Sequence, residues 1–458
     1  MVVSSSEEQY QKYKTDRYIQ AGIQQLSQLI AAKSIFAQQI GLAEMAQQLK
    51  GIFEAAGATV IVDERYRAPF VIAEFSSPKP DAKTLIFYQH YDTVPADSDQ
   101  VWTKGAPFTL TEDAGYLYGR GVDDDKGHIT ARLTAVQRYM AEQGSLPVNI
   151  IFIMEGAEES ASLDLGAYLS DYRERLSGAD LLIWEQGRRN SKGQLEITGG
   201  NKGIVTFDLS VQSADTDIHS SFGGVIESAS WYLLEAIQSM RDAQGRILIG
   251  GIAEAVQPAS ERELELVRQY APTDQNDLAE LHGLTLDRLA TDRDDFLRRL
   301  YFEPSLSIQG LSTGYLGQGV KTILPSQATA KMEMRLVPGL TPEFVMHKIE
   351  EHLTSQGFNQ IRVNMTLGEE AYRSDMSAPA IQKVIKLASA FYEEGISVLP
   401  TSPGTGPMHL VYEVLEVPMA SFGLGNANSR DHAGDENIAI ADYVTHIELV
   451  EELIASYV

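Results

Sequence analysis

Up to about residue 200, short apolar runs alternate with segments whose apolar positions recur at helical spacing, the pattern of a βαβ chain with a mainly parallel sheet. Strands are predicted at 59–64, 69–75, 84–89, 148–154 and 179–184, each rich in β-branched or large apolar residues. Between them, GLAEMAQQLKGIFEAAG ends on a glycine stop signal. KGHITARLTAVQRYMAEQG sets Ile129, Leu133, Val136 and Met140 on one helical stripe. After GGNKGIVTFDLSVQS the texture changes to a strand, a turn at SSFGG, a helix at SASWYLLEAIQSM and a charged stretch, Glu261 to Arg299, expected to be amphipathic helix. An alternating strand in TILPSQATAKMEMRLVPG, a helix capped by a threonine in TPEFVMHKIEEHLTSQG and the strand QIRVNMTL follow. From about Ser374 the first texture resumes, with a helix at APAIQKVIKLASAFYEE, a strand at VPMASFG and a last helix from Asp442. The expected architecture is α/β: a discontinuous mainly parallel-sheet domain (1–203 and 374–458) interrupted by an α+β domain (204–373).

A chain of 458 residues is too long for one ordinary core, which agrees with two domains. Its 63 acidic and 37 basic residues leave a net charge of -26, a field that repels nucleic acid and anionic lipid, so neither is expected as a partner. With no cysteine, disulfides, thiolate nucleophiles and thiolate metal ligands are excluded, and any metal must be held by His, Asp, Glu or water. The opening MVVSSSEEQYQKYK has neither a basic n-region nor an apolar h-region, and no apolar run of about 18 residues follows. A cytoplasmic address is expected.

In open α/β sheets, ligands gather beyond the carboxyl ends of the strands. His90 and Asp92 follow one predicted strand end, Glu158 and Glu159 another, Glu185 a third, and PMASFG leads into LGNANSRDHAGDEN, which holds His432. Each alone reads as a strand-end histidine, a solvated helix start or a charged turn. Together they suggest a metal centre, because clustered carboxylates repel one another unless a cation neutralises them. The glycines of YLYGRGVDDDKGH fit neither dinucleotide nor P-loop spacing, and three consecutive aspartates would repel phosphate. Such a turn suits a cation.

The segments HYDTVP, GRGVDDDKG, EGAEES, LLIWEQG and RDHAGDEN resemble, in order and spacing, the five metal-site motifs of the cocatalytic zinc exopeptidases, which include carnosinase, aminoacylase, succinyl-diaminopimelate desuccinylase and glutamate carboxypeptidase. The resemblance spans nearly the whole chain. It implies two divalent metal ions, zinc with manganese or cobalt as alternatives, one held by His90 and Glu185, the other by His432 and Glu159, with Asp124 bridging both. Asp92 would orient His90. Glu158 would act as general base toward a metal-activated water and return the proton to the leaving nitrogen. The other histidines, His128, His282, His347, His352, His409 and His446, lack a matching context and are read as surface or packing residues.

In the second domain, ADTDIHSSFGG resembles the lid motif whose histidine, here His219, helps hold the scissile carbonyl oxygen, usually in the partner subunit. GQGVKTILPSQATAKMEMRLVPG resembles the strand that supplies a threonine and an arginine to the substrate, here Thr322 and Arg335; a guanidinium suits a terminal carboxylate. SPGTGPMH resembles a glycine-rich loop that receives the same carboxylate, through backbone N–H groups at Gly404 and the hydroxyl of Thr405, where serine is more usual. Glu185 stands where dipeptidase members usually carry aspartate; glutamate is more common in deacylases and carboxypeptidases. The resemblance implies an exopeptidase or dipeptidase, homodimeric through its lid domain. Its alternatives are an N-acyl-amino-acid deacylase or carboxypeptidase with the same centre, and a non-catalytic peptide-binding relative.

Overall fold

A computed structural model describes residues 6–96, 100–271, 283–285 and 292–458. His282 and much of the charged stretch after Ala271 lie outside the described residues. The chain divides into two compact units: Met1–Gly200 with Ser374–Pro400 and Leu410–Val458, and Asn201–Arg373 with Thr401–His409.

The first unit is built on an eight-stranded mixed sheet. Its spatial order is Thr59–Asp63, Phe70–Phe75, Asn149–Glu155, Thr84–His90, Leu181–Trp184, Met419–Ser421, Leu195–Thr198 and Ile396–Leu399. The strands from Asn149–Glu155 to Met419–Ser421 pair in parallel. Antiparallel pairings flank that block. The central strands read as continuous apolar runs because both faces are covered, and Leu85 through His90 are all buried. The helices Arg17–Ala31, Lys126–Gln143 and Ile440–Ala455 pack together, and Leu42–Ala55 packs against the first two strands. There Phe53 meets Phe152 edge-on with ring centres 4.9 Å apart.

The expected helix forms as Lys126–Gln143, and its burial goes beyond the apolar stripe. Its first three turns, Lys126 to Val136, are buried on every side rather than along the stripe of Ile129, Leu133, Val136 and Met140. Polar residues there have partners: Thr130 and Thr134 donate to carbonyls one turn back, and Arg132 Nη2 lies within hydrogen-bond distance of three carbonyls.

The second unit is a four-stranded antiparallel sheet ordered Ser305–Thr313, Gln327–Leu336, Gly203–Gln212 and Arg362–Glu369. Val205, Phe207, Leu209 and Val211 alternate into a core shared with the helices Ala229–Met240 and Pro342–Ser355. Thr341 caps the latter by accepting the Phe344 N–H at 3.2 Å. The loop Thr401–His409, grouped with residues 374–458 in the sequence reading, is tied to this unit by hydrogen bonds. The Lys202 N–H donates to Ser402 O and Gly404 O at 3.2 and 2.8 Å, and the Asn201 amide donates to Gly406 O at 3.0 Å.

Candidate metal centre

Parallel pairing sets His90 opposite Glu155 at one rim of the sheet, and Leu181–Trp184 runs beside the same strand, so Glu185 leaves the sheet in the same direction. The Glu155 strand leads directly into the turn Glu158–Ser160. The aspartate run enters the helix Lys126–Gln143 through Gly121, whose φ of +83° lies in the left-handed region; a side chain there would also meet Thr93 at 2.8 Å.

The structure gathers the first-unit residues around Asp124. One oxygen of its carboxylate lies 2.9 Å from His90 Nε2 and the other 2.9 Å from His432 Nε2. His432 Nε2 is also 3.0 Å from Glu159 Oε2, and Glu185 Oε2 is 3.9 Å from His90 Nε2. Asp124, Glu159 and His432 offer three ligand atoms within 4.8 Å of one another. His90 Nδ1 lies 3.1 Å from the Asp92 backbone carbonyl and 3.5 Å from its carboxylate. The Asp92 carboxylate instead accepts the N–H groups of Glu158 and Glu159, both at 3.2 Å, and so pins the turn that carries them.

Burial and neighbouring charges compete here. Burial raises the Asp124 carboxyl, but hydrogen bonds from His432 and His90 prevail and hold it below the ordinary carboxylate range. The carboxylates of Asp124 and Glu159 push His432 up to about 11. Burial pushes Glu185 well above its usual value, with Glu158 adding to the rise, and pushes Glu158 up in turn.

These residues fit a divalent cation. Nδ1 of His90 faces the Asp92 carbonyl and Nε2 faces the Asp124 carboxylate at 2.9 Å, so the place that a proton holds between Nε2 and Asp124 is one that a divalent cation can take once the ring is neutral. Among the described residues, the buried Glu185 Oε2 meets no hydrogen-bond donor. The set of imidazole nitrogens and carboxylate oxygens is one that zinc, manganese and cobalt accept.

In the second unit, Ile218–His219 pairs with Ile323–Leu324. His219 Nδ1 accepts the Ser221 N–H at 3.2 Å, so in the neutral ring the proton sits on Nε2, 3.5 Å from the Thr322 hydroxyl. Arg335 donates to the Thr405 hydroxyl at 2.6 Å, and Gly404 accepts from the Lys202 N–H. Arg335 and Thr405, 70 residues apart, thus form one cationic, hydroxyl-bearing group.

Residues 86–456 match the model of peptidase family M20/M25/M40. The chain belongs to that family. It is 31% identical over 389 residues to the Beta-Ala-His dipeptidase of Mus musculus, covering 82% of this chain and 77% of that protein. A Cys-Gly metallodipeptidase of Candida albicans is 28% identical over 395 residues, covering 82% and 79%. Among solved structures, an M20 family metallo-carboxypeptidase from Sulfolobus solfataricus superposes with a TM-score of 0.85 at 31% identity, covering 95% of this chain and 99% of that one. Human carnosine dipeptidase 1 gives 0.75 at 25% identity, covering 99% of each chain. The chain is an M20 metallopeptidase, and the expected α/β fold with its mainly parallel central sheet is the fold of these relatives.

In this peptidase the sequence reading missed supporting residues. Asp125 accepts the His90 N–H at 3.2 Å through one oxygen and lies 3.0 Å from His128 Nδ1 through the other. His128 also accepts the Leu424 N–H at 3.1 Å, so it packs beneath the site rather than on the surface. Arg132 donates to the carbonyls of Trp184 and Glu185 at 2.8 and 2.7 Å and fixes the strand end that carries Glu185. The Gln186 amide donates to Asp124. Asp125 stood in the DDD run, but nothing in sequence distinguishes its role from that of its neighbours. His446 is buried, His352 bonds Ser239, and His347 and His409 pair with Glu351 and Glu370.

Proposed function

We propose that this chain is a two-metal exopeptidase that hydrolyses dipeptides, with Glu158 as the proton carrier. The observation that carries the reading is the Asp124 carboxylate, turned by one oxygen to His90 and by the other to His432. His90 and Glu185 would hold one ion, His432 and Glu159 the other, with Asp124 between them. Zinc, for which manganese or cobalt can substitute, supplies positive charge that polarises the scissile carbonyl and acidifies water.

The protein's own groups do the rest. Glu158 sits beside Asp92, Asp124 and Glu159 in a buried acidic environment that raises its proton affinity. It can therefore accept a proton from the attacking water and deliver it to the departing amine. Asp92, by holding both N–H groups of the Glu158–Glu159 turn, lets adjacent glutamates take different tasks. In the second unit, Arg335 with Thr405 and Gly404 is assigned the substrate's terminal carboxylate, and His219 Nε2–H with Thr322 the scissile carbonyl oxygen. The named activities of the mouse and Candida relatives favour dipeptides as substrates.

A second reading, carboxypeptidase action on longer peptides, is favoured by the Sulfolobus carboxypeptidase neighbour and by glutamate at position 185. Dipeptides, tripeptides and N-acyl amino acids assayed with zinc, manganese and cobalt separate the two. Preferred turnover of dipeptides is expected. Turnover confined to longer peptides or to N-acyl amino acids contradicts the proposal, and no turnover with metals bound supports the peptide-binding alternative.

We further assign a homodimer formed through the second unit, where the edge strand Ser305–Thr313 exposes Ile308 and Leu311 and the helix Ala229–Met240 exposes Trp231 and Leu234. The reading keeps the cytoplasmic location, which cell fractionation tests.

A further inference from the structure

We propose that Glu436 and Arg120 are positioning residues of the metal centre. They form a buried ion pair that holds the turn carrying Asp124 and the loop carrying His432 in one register. This rests on the two-metal reading above.

Neither residue is aimed at the ligand atoms, and both are almost wholly buried, Glu436 at 0% and Arg120 at 1% exposure. The Glu436 carboxylate accepts four hydrogen bonds. Oε1 takes the N–H groups of Asp123 and Asp124 at 3.0 and 3.2 Å, and Oε2 takes the Gly121 N–H at 3.0 Å and the Arg120 guanidinium at 2.6 Å. A residue four positions after His432 therefore fixes the backbone of the bridging aspartate.

Arg120 carries the tie back to the loop. Its Nη2 donates to Ala433 O at 3.2 Å and to Gln100 Oε1 at 2.7 Å, and the Gln100 amide donates to His432 O at 3.0 Å. The guanidinium also lies over the Trp102 ring, 5.4 Å from its centre. The two halves are linked across more than 300 residues of chain by one carboxylate and one guanidinium.

The loop needs such a tie. His432, Arg430 and Asp435 all have left-handed backbones, with φ of +61°, +60° and +59°, a conformation that side chains disfavour. Charge explains the choice of partners: another carboxylate beside an acidic centre is tolerable only if neutralised, and Arg120 does so without reaching the ligands. Glutamine would not serve. It keeps the size but has one acceptor oxygen, so its NH2 would face either the Asp123 and Asp124 N–H groups or the Gly121 N–H and Arg120.

The test compares wild type, Glu436→Gln, Arg120→Met and the double variant. Zinc affinity is measured by chelator competition on protein shown to be folded by circular dichroism, with kcat and KM for one dipeptide. Each single variant is expected to bind zinc about 10–100-fold more weakly and to lose kcat with little change in KM. The double variant is expected to be no worse than the poorer single one, because both remove the same link.

Zinc affinities within about two-fold of wild type would show a merely structural pair and overturn the inference. Should the two single variants fail to fold, Arg120→Lys carries the test: it keeps the charge but not the fork, so weakened zinc binding supports the brace and unchanged binding overturns it. Wild-type protein that binds no zinc overturns the proposed function along with this inference. Zinc-loaded wild type with undiminished variants overturns this inference alone.

Discussion

Asp124 is the residue around which the candidate ligands gather, and the contacts around it divide into those that read out in the sequence and those that do not. That His90, Glu159, Glu185 and His432 come together was legible because each is an ionisable side chain in a segment that follows an apolar run, and a parallel sheet gathers such segments at one rim. Asp125, Arg132, Arg120 and Glu436 were not legible, since their work is to hold backbone N–H and carbonyl groups that are far away in sequence. At this scale the clearest prediction concerns Glu158. Glu158→Gln is expected to lower kcat by about 10²–10⁴-fold, the usual worth of a general base, while metal content by atomic absorption stays at the wild-type level. Retained turnover would remove Glu158 from the mechanism. His432→Ala takes away the imidazole that meets both Asp124 and Glu159, and is expected to lower metal content as well as turnover.

Elements were legible where periodicity and burial agree. The five strands named before residue 200 all form, to within two residues at each end. Two other strands of the same sheet, Leu195–Thr198 and Ile396–Leu399, are only four residues each, so the single alternation in the first and the short apolar run in the second are too brief to mark a strand. The edge strand Ser305–Thr313 escaped for the opposite reason: most of its side chains remain exposed, so its sequence reads as loop. The helix Ile440–Ala455 brings a testable pH effect. Burial raises Glu451 to about 8, with Arg138 opposing the rise and Glu142, Glu448 and Asp16 adding to it. Between the ordinary value of 4.5 and about 8, the folded chain keeps a proton that the unfolded chain releases, so this group's contribution to stability is lost as pH rises through that window. Glu451→Gln removes the ionisation. Its Tm relative to wild type is expected to climb from about pH 5 to about pH 8, and a flat or falling difference would contradict the assignment.

At the scale of the whole molecule, composition set limits that the fold then used. A cysteine-free, acidic chain left only imidazole and carboxylate to make a metal site, and the first unit assembles such a group from residues 90 to 432. The proposal that two chains assemble rests on family resemblance, because exposed apolar side chains on an edge strand and a helix have no periodicity that names their partner. Trp231→Glu combined with Leu311→Asp should convert a dimer of about twice 50.4 kDa into a monomer in sedimentation, leaving the fold of each unit intact. A wild-type monomer, or a variant that still dimerises, would place the interface elsewhere.

The central claim, that residues remote in sequence surround a pair of divalent cations on one aspartate, is tested most directly by anomalous diffraction at the zinc edge from zinc-soaked crystals. The account predicts two peaks flanking the Asp124 carboxylate, one beside His90 and Glu185 and the other beside His432 and Glu159. A single peak, or peaks remote from Asp124, would contradict it.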